Sequence, residues 1–222
     1  TALRRAHPTL SRGRPTALRS DAAGPGVLAW RMDPEPGSGA PALLVLLNTA
    51  QRPALADALP LGAPGLQDLI SVYTTGSSAQ SARTAADGTL TLELPARSGQ
   101  VFRLPPPAVG QRVHAGASKR LSLDPPRPRP DGSSVAVQGR AEPGQTLKIV
   151  LDGDSISAPG VTAGADGHWQ ARLDTRRLVD PRISHRIVAW DPTTGQVSDA
   201  RPLMLQRRWV LLARQADPAG DD

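Results

Sequence analysis

Proline and glycine recur so often in this chain that no long helix has room to form. Pro (23) and Gly (21) together take up about a fifth of the 222 residues, above the ~12% usual for globular proteins and below the ~25–30% that marks disorder. Such a chain folds, but with many turns and short strands. The apolar residues are grouped accordingly: GVLAWRM (26–32), ALLVLLN (42–48), LISVYTT (69–75), TLTLEL (89–94) and GQVFRL (99–104), separated by DPEPGSG, PLGAPG, ADG and PARS. TLTLEL alternates strictly, which puts Leu90, Leu92 and Leu94 on one face, as a half-buried strand requires. Regularly spaced short strands predict an antiparallel sandwich.

The run PPPAVGQRVHAGASKRLSLDPPRPRPDG interrupts this pattern. Its proline clusters cannot donate to a strand ladder and favour extended, semi-rigid chain, so it reads as a domain boundary. KRLSLD (119–124) is a candidate first strand of a second series. That series continues with SVAVQGRA, QTLKIVLDG, GVTAGADGHWQARL, SHRIVAWD and GQVSDARPLML, with turns at AEPG, ADG and DPTTGQ. The expected fold class is therefore all-β, with two antiparallel β-sandwich domains in tandem behind an N-terminal helix stub.

The charge excludes some function classes. Lys119 and Lys148 are the only lysines among 26 basic residues. With abundant Ala, Gly and Pro, that bias reads as a GC-rich bacterial coding sequence. The net charge of +6 is spread along the chain, whereas a nucleic-acid binder clusters its charge and interleaves aromatics. No nucleic-acid partner is expected. The absence of cysteine removes disulfides, thiolate chemistry and Cys-ligated zinc. No run approaches the ~20 apolar residues of a membrane span.

The chain opens TALRRAHPTLSRG. Leu3, Ala6 and Leu10 recur at helical spacing, and Pro8 should end the helix at His7. Two turns of helix are marginal alone, which suggests the end of a longer element. ALRRAHPTLSRG resembles the last barrel helix of α-amylase family glycoside hydrolases. PGVLAWRM, ALLVLLNTA, LISVYTTG and DGTLTLELPARSGQVFRL resemble the β-sandwich, domain C, that follows the barrel in that family. Residues 119–206 resemble a bacterial immunoglobulin-like module, and WVLLARQADPAGDD resembles the opening of a glucodextranase-type C-terminal module.

The resemblance implies a definite layout. Residues 1–12 would be the end of the last barrel helix and 13–105 domain C. A linker would span 106–118, an immunoglobulin-like sandwich 119–206, and the start of a further module 207–222. It implies a secreted bacterial parent, extracellular or periplasmic, acting on α-glucans. The partners would be the catalytic barrel and C-terminal module of the same polypeptide, with α-glucan itself a candidate. Retaining glycosidases need paired carboxylates, and no acidic residue here matches the family's catalytic motifs. No catalytic residue, metal or cofactor is expected in this chain.

Two features compete for a role. LKIVLDGDSISAPG resembles the nucleophile block of GDS-type esterases, with Ser155 as nucleophile. However, the only Asn is upstream at position 48, and neither His168 nor His185 has an Asp three residues before it. The alternative reading is a polar loop between strands. Asp152, Asp154, Asp166 and Asp191 fall in turns and could offer oxygen ligands to Ca²⁺, but turn aspartates are commonly solvated. His7, His114, His168 and His185 are not at ligand spacing and read as surface or loop residues.

The four tryptophans divide. Trp169 and Trp30 are expected to be buried, and Trp209 would belong to the truncated module. If Ile187 and Ala189 face the core, Val188 and Trp190 must face outward. Trp190 is then either a carbohydrate-stacking platform or a contact between domains.

Overall fold

The computed structural model describes residues 2–21, 24–62, 65–75, 81–106, 121–178, 180 and 182–205. Two short helices, α1 (Ala2–Ala6) and α2 (Thr9–Arg12), precede the strands. The helix breaks at His7 as expected. Pro8 then opens α2 with φ −55°, the conformation that suits proline in a first helical turn.

Eight strands follow in the first half: β1 (Arg14–Ser20), β2 (Val27–Asp33), β3 (Leu43–Asn48), β4 (Ala54–Pro60), β5 (Asp68–Thr74), β6 (Ala82–Arg83), β7 (Thr89–Leu94) and β8 (Ser98–Arg103). The second half holds β9 (Ser122–Leu123), β10 (Arg127–Pro128), β11 (Ser134–Arg140), β12 (Thr146–Leu151), β13 (Gly160–Thr162), β14 (His168–Asp174), β15 (His185–Trp190) and β16 (Arg201–Leu203). Every pairing between these strands is antiparallel. The fold is all-β.

Four strands, β1, β4, β6 and β10, lie outside the apolar runs, and β10 (Arg127–Pro128) pairs with β11 inside the proline-rich stretch read as a boundary. RPTALRS carries two arginines and a proline and lies at a sheet edge beside β2, the one place where proline costs no ladder bond. ALADALP is interrupted by a β-bulge between Ala56 and Leu59, with Ala58 at φ +46°.

The first half has a six-stranded sheet, β1-β2-β3-β8-β5-β6, and a separate ribbon, β4-β7. Between them lies an apolar cluster with Val27, Ala29, Leu44, Leu46, Leu90 and Phe102 at its centre, all fully buried. Asn48 closes one end of this core. Its amide donates to the carbonyls of Arg52 and Pro95, each at 2.8 Å, and its oxygen accepts from Ala50 N at 2.9 Å. The lone asparagine is thus a turn staple.

The second half has two four-stranded sheets, β10-β11-β14 with β9 beside β11, and β13-β12-β15-β16. They enclose a second cluster that includes Val135, Leu147, Ile149, Trp169, Ile187 and Ala189. Strand β11 shows the expected period of two: Val135 and Val137 are buried, while Ala136 and Gln138 are exposed. Trp169 is 3% exposed, in the core as anticipated. No helix among the described residues is long and apolar enough to cross a membrane. Residues 207–222, including Trp209, lie outside the described residues, as do His114 and the expected 107–118 portion of the linker.

Candidate functional site

An antiparallel sheet with one face on a core normally turns polar side chains outward. The six-stranded sheet does not. Val27 and Ala29 of β2 point into the first core, so Leu28, Trp30 and Met32 occupy the opposite face. On β3, Leu44 and Leu46 point inward and Val45 and Leu47 outward. On β5, Ile70 pairs with Arg103 and Tyr73 with Val101, which places both on the same outer face. Ile70 is 62% exposed and Tyr73 44%.

Of these, Trp30, Met32, Val45, Leu47 and Tyr73 line, with Val101, a groove of about 430 Å³. Leu3 and Arg4 of α1, with Leu10 of α2, form part of its wall. The helical stub therefore lies against the apolar face. Trp30, expected to be buried, is half-buried and lines this groove. Contiguous apolar surface of this kind marks an interaction site.

A second constellation joins the two halves. Alternation along β4 keeps Ala54 and Ala56 in the first core and turns Leu55 and Asp57 toward the second half, and the bulge after Ala56 returns Leu59 to the first core. Leu55 is fully buried among Val150, Val188 and Trp190. Asp57 is 3% exposed and receives two guanidinium groups. Arg19 of β1 donates to its Oδ1. Arg186 of β15 donates to Oδ2 through Nη2 at 2.5 Å and Nε at 3.1 Å. Burial opposes the charge on Arg19, but the carboxylates of Asp57 and Asp21 outweigh it and raise its pKa.

The GDS segment completes this joint. Asp152 (φ +49°) and Gly153 (φ +80°) form a left-handed turn after β12, which aims Gly153 O at the N–H of Leu55, 2.8 Å away. Asp154 bridges to Ala54 and pairs with Arg52 at 3.3 Å. Ser155 is fully buried, and its hydroxyl donates to Glu93 of β7. A nucleophilic serine needs a base on its hydroxyl and room for substrate. Ser155 has a carboxylate from another strand and no exposure, so the motif serves as a contact loop.

The remaining candidates fall as follows. Ile187 and Ala189 face the second core, and Val188 and Trp190 face the other way, as strand parity requires. Trp190 is 8% exposed, with Lys148 Nζ 6.0 Å from its ring centroid, and it packs in the joint. A sugar-stacking ring needs an open face, which Trp190 lacks here. His185 corrects the expectation of four surface or loop histidines: it is buried in β15, with Nδ1 2.7 Å from Asp152 Oδ2. His168 is exposed and His7 half-buried. Asp191 accepts from Gln145, Thr193 and Thr194, bonds that outweigh burial and lower its pKa. Among the described residues, no three His, Cys, Asp or Glu side chains converge to hold a metal.

The sequence did not single out Arg19, Asp57 or Arg186. The available signal was one carboxylate inside the apolar run ALADALP, since a charge is seldom buried unless paired. Comparison with protein-family models gives no match, and comparison with curated proteins gives none either.

Proposed function

We propose that this chain is a non-catalytic accessory region of an α-amylase family glycoside hydrolase acting on α-glucans. Strands β1–β8 would be a domain C sandwich and β9–β16 an immunoglobulin-like sandwich in tandem with it. The outer face of the six-stranded sheet would be covered by the catalytic barrel, whose last helix α1 and α2 continue. The parent would be secreted.

The observation that carries this reading is the apolar outer face with the helical stub lying on it. A face with Trp30, Met32, Val45, Leu47, Ile70 and Tyr73 serves a partner better than it serves water. The sequence resemblance supplies the identity of that partner. The experiment is Ile70→Arg introduced into the parent enzyme. Glucan hydrolysis by the parent should become more heat-labile, while the melting temperature of this chain alone stays unchanged. Equal heat resistance of the parent with and without the charge counts against the reading.

The presence of two aromatic rings, Trp30 and Tyr73, in one groove favours a second reading, direct glucan binding. Affinity electrophoresis in starch or dextran gels separates the two. Retardation of the chain that is lost in Tyr73→Ala supports binding, and unretarded migration supports docking.

A further inference from the structure

The joint between the two halves is built from directional contacts as well as apolar ones. Leu55 inserts its side chain among Val150, Val188 and Trp190 and donates its N–H to Gly153 O. Asp57 gathers one arginine from each half. Ser155 and Glu93 bond across the boundary, and Arg52 reaches both Asp154 Oδ2 at 3.3 Å and Ser157 Oγ at 3.4 Å. Domains joined only by a linker move independently unless their contact is large and apolar. Here the apolar part is small, and the fixing of one orientation falls to the charged and hydrogen-bonded groups.

We infer that β4 and β7 form a specific dock for the sheet β13-β12-β15-β16, with Asp57 as its positioning residue, so that the two halves act as one rigid strut. Charge pairing fixes register at an interface because a shifted arrangement takes from a buried charge one of the donors it needs. Asp57 illustrates this. With Arg19 on one oxygen and Arg186 on the other, sliding the second half removes Arg186 and leaves a buried Asp57–Arg19 pair short of one hydrogen-bonded cation. The turn at Asp152–Gly153 adds a second fixed point. A Cβ at Gly153 would stand 3.3 Å from Leu55 O, so a glycine there permits the close backbone approach. The inference holds whatever covers the outer face of the six-stranded sheet. Its consequence is mechanical: β16 keeps a set direction relative to the partner on that face.

The test cuts the chain without removing either half. A protease site is placed between residues 106 and 121 of the full chain, and the cut protein is run on size exclusion with light scattering at micromolar concentration. The two fragments should elute together at the mass of the intact chain. Arg186→Ala and Leu55→Ala should each raise the dissociation constant of the fragments by ~10-fold or more. Circular dichroism on the uncut variants checks folding. Arg186 is the safer of the two, because its side chain is 44% exposed. Wild-type fragments that separate, or an Arg186→Ala pair that binds as tightly as wild type, would overturn the inference.

Discussion

Arg186 and Asp57 stand 129 positions apart in the chain and meet with Nη2 2.5 Å from Oδ2. Arg186 is anchored on the other side, where its backbone N–H donates to Asp152 Oδ1 at 2.8 Å. One residue of β15 thereby holds both the carboxylate of β4 and the turn that docks beside it.

Asp57→Ala should destabilise the chain by about 3–5 kcal/mol, the usual effect of removing one partner from a buried charged pair. Two arginines would lose their common acceptor, and Arg19 is itself nearly buried, with its side chain 7% exposed. Urea denaturation of the variant beside wild type measures it. A loss below about 1 kcal/mol, the range of surface pairs, would mean that water already satisfies these groups.

Acid should loosen the joint through Asp154. Burial works against its charge, but the hydrogen bonds from Ser157, the Arg52 guanidinium and the bond from Ile156 outweigh it and hold the carboxyl below its ordinary 3.8. A group depressed in the folded state contributes stability that is complete above the unfolded value and is lost as pH falls through the folded one. Asp154→Asn should therefore flatten the fall in stability below about pH 4 and leave the slope near neutrality unchanged. Denaturation midpoints across that range decide it.

Gly139→Ala should cost about 1–3 kcal/mol or more. A Cβ there would collide with Ser122 O and come within 2.6 Å of Trp169 Cζ2. Gly139 pairs with Leu123 on one side and Trp169 on the other, so the added methyl pushes β9 off the sheet edge. Thermal melting checks the cost, and Trp169 fluorescence should redden as its packing opens.

Strand alternation made most of the fold legible. TLTLEL and SVAVQGR carry their buried face in plain view, and the Ile187/Ala189 pair placed Trp190 on the opposite side from the core. Elsewhere the same signal failed for a physical reason. In VLAWRM and ALLVLLN both faces are apolar, so alternation vanishes and Trp30 could not be assigned to the outer face. β1 hid because an edge strand tolerates proline and arginine, and β4 hid because its bulge breaks the period. Of the joint, only Trp190 was legible, through strand parity; its charged and hydrogen-bonded groups were not. Glycine, aspartate and serine after a strand read as a polar loop or as a nucleophile block without its partner residues, and only the fold brings Leu55 and Glu93 to them.

The exposed face can be tested on this chain alone. Ile70→Lys should change stability by less than about 0.5 kcal/mol, as expected for a surface site, and should lower binding of an uncharged apolar dye such as Nile red. Ile70 sits 62% exposed beside Arg103, so a second cation there disturbs no core contact. A loss of several kcal/mol would place Ile70 in a core.

Hydrogen–deuterium exchange over β5 and β8 (68–74 and 98–103), compared between this chain and the proposed parent enzyme, tests the proposed docking surface most directly. If a catalytic barrel covers the outer face of the six-stranded sheet, amides of β5 should exchange at least ~10-fold more slowly in the parent, while those of β11 and β14 should not change. Equal exchange of β5 in both proteins would contradict the assignment of this face as the seat of the barrel.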